Sequence, residues 1–240
     1  MTTIAVTSGK GGTGKSCVTA YTGVAFAKRG KRTLVVEMGG SPRSLDLILG
    51  AQNDILFDYS DVVHGRCEVS KAIVQTAYHS GLYLMPGPPL PVPLVPEIKW
   101  FRTFLRSFKD AFDIVLLDGV NFHAFPPVLT DNILLVVTPE SLAIRSTGMH
   151  SRALYDAGAK EIRLVINNVS AQVMPMYGAR DFDDVIDTIG AQLIAVVPTS
   201  PILQYCSNNA QAVDEGSLTV QVFDNIAARL LGEHPLLLVK

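Results

Sequence analysis

Apolar positions along the chain follow two rhythms. Short aliphatic and β-branched runs recur as "TIAVTS" (3–8), "RTLVVE" (32–37), "LYLM" (82–85), "DIVLLD" (113–118), "NILLVVT" (132–138), "EIRLVIN" (161–167) and "QLIAVVP" (192–198). Between them lie stretches of helical spacing, notably residues 16–29 and 97–109. In the second, Ile98, Phe101, Leu105 and Phe108 fall on one stripe. Strands apolar on both faces and separated by helices predict an α/β fold. Its centre is a mainly parallel twisted sheet with helices on both faces and right-handed crossovers. No internal repeat and no dividing linker interrupts the pattern, so a single domain over residues 1–240 is expected.

One segment breaks the rhythm. "MPGPPLPVPLVPEIKW" carries six prolines from Pro86 to Pro96. Such spacing suits an extended ligand for a proline-binding module, or a stiff loop from a strand to a helix. The clear strand before it and helix after it favour the loop.

Composition narrows the setting. With 48% hydrophobic residues and a net charge of −2, the chain has ample core and no global basic field, so no specific nucleic-acid partner is predicted. Cys17, Cys67 and Cys206 are scattered without metal-ligand spacing, which suits a reducing compartment. No leader pattern precedes the first strand and no apolar run is long enough to span a bilayer, so a cytoplasmic protein is expected. The five histidines show no paired-ligand or triad spacing and receive no catalytic role.

The candidate chemistry is at the amino end. "GKGGTGKS" (9–16) fits G-x-x-x-x-G-K-[ST], with a strand before it and a helix after it. Gly11, Gly12 and Gly14 let the backbone curl so that consecutive N–H groups, including those of Thr13 and Cys17, point at phosphate oxygens. Lys15 brings charge to the terminal phosphates, and Ser16 offers a hydroxyl to Mg²⁺. The helix start adds its positive dipole end, which also favours a lowered Cys17 thiol pKa if that residue does more than fill space. Asp118, ending "DIVLLD", is placed as the second metal-holding group.

A second lysine, Lys10, follows the first glycine. The loop therefore resembles the deviant Walker A sequence K-G-G-x-G-K-[ST] of the MinD/ParA family of ATPases. "RSLDLILG" (43–50), "FDYSDVVHGRCEVSKAI" (57–73), "VVTPE" (136–140) and "IAARLLGE" (226–233) are similar to stretches of its MinD-like members. The resemblance implies ATP and ADP as ligands, Mg²⁺, and an ATP-dependent homodimer. In it Lys10 would reach across to the other subunit's phosphates and act with Lys15 in catalysis. It also implies spatial positioning of a cellular component, such as the division site, through a protein activator or cargo. On the same grounds Asn167 would meet the adenine ring from one side, and Pro198 and Thr199 would cover it from the other.

Several family features are altered. The switch D-x-D after the second strand reads "EMG" (37–39), so Gly39 stands where a water-assisting Asp is expected and Asp46 is the nearest other acid beyond Glu37. D-x-P-x-G becomes "DGVNF" (118–122), and the partner-contact stretch R-D-x-D-R becomes "RSTGM" (145–149). The closing "HPLLLVK" lacks the two faces of a membrane-lying helix, so it is expected to pack on the domain or fray, with any membrane contact made through a partner. Two functions follow: a switch that dimerises around Mg·ATP and hydrolyses it slowly, or a hydrolysis-deficient constitutive scaffold in which nucleotide is structural.

Overall fold

The computed structural model describes residues 1–38, 42–92, 94, 96–122, 125–170, 181–211 and 213–238. Its eight-stranded sheet runs in the order β3-β4-β2-β5-β1-β6-β7-β8. The strands are β1 (Thr2–Thr7), β2 (Thr33–Glu37), β3 (Val74–Gln75), β4 (Leu82–Met85), β5 (Ile114–Asp118), β6 (Asn132–Val137), β7 (Ile162–Val169) and β8 (Gln192–Pro198). Every pairing is parallel except that of β3 with β4. The seven apolar runs are the seven parallel strands. The two-residue edge strand β3 was invisible in the pattern because so short a piece has no alternation to read.

Strand alternation builds two cores. Ala5, Leu34, Val36, Val115, Leu117, Leu135 and Leu164 point to one face, where they meet helices α4 (Ile98–Arg106), α5 (Ser141–Asp156) and α6 (Phe182–Ile189). Ile4, Val6, Val35, Leu116, Leu134 and Val165 point to the other, under α1 (Lys15–Lys28), α7 (Pro201–Asn209) and α8 (Leu218–Leu230). Two short helices, α2 (Leu45–Ile48) and α3 (Tyr59–Val63), lie in the connection between β2 and β3.

Helix α1 is buried around most of its surface because it is clamped between the sheet and α8, and Gly23 keeps it close: a Cβ there would lie 3.1 Å from Val35 Cγ2. It ends in a Schellman-type turn, with Lys31 N–H donating to Phe26 O at 3.1 Å and Gly30 at φ 76°.

The α4 stripe is rotated from the expected one. Phe101, Phe104, Leu105 and Phe108 are buried, whereas Ile98 is exposed in the first turn. Phe104 takes the inner place by stacking on Trp100 (centroids 4.9 Å apart) and meeting Tyr59 edge-on at 5.7 Å. The described part of the proline-rich segment is the expected loop: Pro86 O accepts from Tyr59 N–H at 2.8 Å, and residues 89–92 are exposed. The tail packs back on α8, with Arg229 donating to Pro235 O (2.6 Å), Asn225 to Leu236 O (3.1 Å), and Leu238 against the core. Among the described residues no helix is long and apolar enough to cross a membrane.

This topology fixes where a ligand can sit. β1 and β6 are neighbours, and α1 after β1 covers one face while α5 after β6 covers the other, so the two connections diverge and a crevice opens at the strands' carboxyl ends. In register there, Val6 and Glu37 both pair with Asp118.

Candidate functional site

The loop from β1 to α1 forms one wall of a cavity of about 550 Å³, lined by Thr7, Ser8, Gly11, Gly12, Gly14, Lys15, Ser16 and Cys17. Pro42, Ser44, Gly119 and Val120 form the other wall. The loop's shape rests on two glycines in the left-handed region, Gly12 (φ 78°) and Gly14 (φ 86°). Gly9 serves differently: a Cβ there would fall 2.4 Å from the backbone of Ser146 and Thr147, so it lets the loop lie directly on α5. His150, to which the sequence assigned no role, supports the end of β1, its Nε2 3.2 Å from Thr7 Oγ1.

At the cavity floor, Ser16 Oγ donates to Asp118 Oδ2 at 2.7 Å, and Thr19 Oγ1 donates to Asp118 Oδ1 at 2.8 Å. Asp118 is fully buried. Burial raises its pKa, against the hydrogen bonds from Ser16 and Thr19 and the charge of Lys15, which lower it. A serine hydroxyl backed by a carboxylate is an all-oxygen donor set, which fits Mg²⁺. Thr19, one helical turn beyond Ser16, was missed in the sequence because its role appears only when β5 is placed beside α1.

A second cavity of about 310 Å³ adjoins the first. Gly12, Thr13, Gly14, Cys17, Thr138, Asn167, Asn168, Pro198, Ser200, Leu203, Gln204, Ser207 and Asn208 line it. Asn167 Nδ2 donates to Thr13 O at 2.8 Å and presses on Gly14, where an added Cβ would lie 2.3 Å from it. Pro198 lines this cavity; Thr199 is not among its lining residues, and its N–H donates to Val169 O at 2.8 Å. The polar residues of α7 (Gln204, Ser207, Asn208) were not singled out because nothing in their local pattern separates them from an ordinary helix surface.

Cys17 shows no lowered thiol pKa. Its thiol is pushed up to about 11, chiefly by burial and against a hydrogen bond with Ser207. Among the described residues no disulfide joins Cys17, Cys67 and Cys206.

Lys10 turns away from its own cradle. Its Nζ lies 2.5 Å from Glu140 Oε2, at the start of α5, and it does not line the phosphate cavity. Asp46 is committed elsewhere, with Oδ2 on Arg43 Nε at 3.0 Å and Oδ1 accepting from Leu47 N–H at 2.8 Å. Gly39 lies outside the described residues.

Glu37 is buried beside Asp118 and gathers the segment after β2. Its Oε1 accepts from Ser44 N–H (2.8 Å), Ser44 Oγ (3.3 Å) and Leu45 N–H (3.4 Å), and its Oε2 accepts from Gly87 N–H (3.0 Å). Burial raises its pKa, and the neighbouring Asp118 adds to the rise, against the backbone hydrogen bonds that lower it.

Comparison with known proteins agrees with this arrangement. The model of the CobQ/CobB/MinD/ParA nucleotide binding domain matches residues 4–213. The septum site-determining protein MinD of Bacillus subtilis (strain 168) is 30% identical over 239 residues, covering 96% of this chain and 89% of that protein. Among solved structures, the MinD cell division protein of Aquifex aeolicus superposes with a TM-score of 0.86 at 28% identity, covering all of both chains. The MinC:MinD cell division protein complex from the same organism gives 0.85 at 29% identity over 98% of both chains. By its loop, its sheet order and these likenesses, the chain belongs to the MinD/ParA family of nucleotide-binding proteins.

Proposed function

We propose that this chain is an ATP-driven positioning switch. Mg·ATP fills the two adjoining cavities, the triphosphate in the P-loop cradle against Lys15 and the nucleoside beside Asn167 and Pro198. Ser16 would hold Mg²⁺ with Asp118 behind it, and the ion would offset negative charge on the phosphates. Two copies then close on each other, and Lys10 of each reaches the phosphates bound by the other. The paired form presents a surface to a protein cargo or activator, and slow hydrolysis to ADP and phosphate resets it. The solved MinC:MinD complex supports a protein partner for this kind of fold.

The observation that carries this reading is the position of Lys10, parked on Glu140 at 2.5 Å outside its own phosphate cavity. A cation beside the cradle but not in it is free to serve a neighbouring cradle once Glu140 releases it. The exposed pair is weak, about 1 kcal/mol or less, so a triphosphate can outbid it.

Asn167 is the candidate base contact. One Nδ2 hydrogen goes to Thr13 O, which leaves the second Nδ2 hydrogen and Oδ1. That donor and acceptor match adenine's ring nitrogen and exocyclic amino group.

A constitutive scaffold is the second reading. It is favoured by the phosphate cavity itself, which has no acidic side chain among its described lining residues. Size-exclusion chromatography with light scattering in ATP, in ADP and without nucleotide, with phosphate release measured on the same samples, separates the two. A dimer only in ATP supports the switch. A dimer in all three conditions supports the scaffold, and a monomer in all three defeats both.

A further inference from the structure

Glycine at position 39 removes the acid expected to assist the attacking water, yet the far wall of the phosphate cavity carries a hydroxyl in a built setting. Ser44 lines the same cavity as Lys15 and Ser16. Its Oγ lies 3.3 Å from Glu37 Oε1, and its N–H donates to the same oxygen at 2.8 Å. Glu37 is 1% exposed and is fixed from its other side by Gly87 N–H at 3.0 Å. Among the other cavity hydroxyls, Ser16 is bonded to Asp118 in the proposed metal site, Thr7 meets His150, and Ser8 accepts from the N–H of Lys10 at 3.2 Å.

The chemistry of the pair sets the direction of its hydrogen bond. A carboxylate only accepts, so the Ser44 hydroxyl donates inward and its oxygen lone pairs are left for the cavity. An oxygen acceptor held in place on the phosphate-cavity wall is what orienting a water requires. The glutamate also explains itself. Its carboxylate spans from Ser44 to Gly87, a reach that an aspartate, one methylene shorter, would lack.

We propose that Ser44 orients the water that attacks the γ-phosphate, and that Glu37 acts as a positioning residue by holding Ser44. The proposal rests on the ATP-binding reading above. In the step, the water oxygen bonds to the γ-phosphorus as the bond to the ADP oxygen breaks. ADP leaves with that electron pair, and the released water proton passes to phosphate and solvent. Ser44 and Glu37 neither gain nor lose a proton.

The test is single-turnover ATP hydrolysis alongside ATP affinity and dimer formation, for the full chain and for Ser44→Ala, Ser44→Thr, Glu37→Asp and the Ser44→Ala/Glu37→Asp pair. Ser44→Ala is expected to slow the rate constant about tenfold or more while affinity changes less than about twofold, and Ser44→Thr to restore it within about threefold. Glu37→Asp should slow hydrolysis too, and the double variant should be no slower than Ser44→Ala alone, because both act through one oxygen. An unchanged rate in Ser44→Ala, or additive losses in the double variant, overturns the proposal. So does an ATP-bound wild type that hydrolyses no faster than Lys15→Ala. A wild type that fails to bind ATP defeats the reading beneath it instead.

Discussion

The two walls of the phosphate cavity are built by different means. The near wall, from Gly9 to Cys17, is held by backbone geometry: left-handed glycines, the first turn of α1, and direct contact of Gly9 with α5. The far wall, from Pro42 to Ser44, hangs on hydrogen bonds to one buried carboxylate, Glu37. A wall made of close-packed backbone cannot yield without unfolding something else. A wall held by one side chain can be retuned by changing that side chain. On the proposed function, ligand binding falls to the rigid side and turnover to the adjustable one.

Breaking the near wall should cost most. Gly9→Ala puts a methyl group 2.4 Å from α5 backbone and is expected to destabilise the protein by more than about 3 kcal/mol in denaturant melts. Gly11→Ala meets nothing within 4 Å and should leave stability within about 0.5 kcal/mol. If the two variants melt alike, the near wall is not set by packing.

Lys15→Ala leaves the fold intact and should weaken ATP binding about 100-fold, the scale of losing charge-assisted phosphate contacts of about 2–3 kcal/mol. Lys10→Ala should bind ATP but remain monomeric, a split that calorimetry and light scattering read separately.

Asp118→Asn should make the protein without nucleotide more stable while weakening Mg²⁺-dependent binding. Because burial raises the Asp118 pKa, its stabilising contribution is present at acid pH, where it is protonated, and is lost as pH rises through the raised value. The neutral amide avoids that loss. The melting temperature should therefore rise near pH 7 and rise less near pH 4.

The smallest effect is expected at Glu140. Removing it frees Lys10 from a half-exposed ion pair, so Glu140→Ala should dimerise at an ATP concentration lower by about fivefold or less, corresponding to about 1 kcal/mol. A higher requirement would mean that Glu140 itself serves the paired state.

The same contrast explains what could be read in advance. The near wall is a contiguous motif, and the parallel strands are long apolar runs, so both were legible. The far wall is assembled from Glu37, Ser44 and Gly87, which meet only after β2 and β4 pair. Thr19 and the polar face of α7 depend likewise on which strand end they come to face. Phe104 displaced Ile98 on α4 because ring packing, rather than spacing alone, chose the inner face.

The most direct test is a structure of the full chain grown with Mg²⁺ and a non-hydrolysable ATP analogue. The account predicts a two-fold pair in which each Lys10 Nζ has left Glu140 and lies within hydrogen-bond distance of the triphosphate held by the other copy. A nucleotide-filled chain whose Lys10 still rests on Glu140, with no second copy facing it, would contradict it.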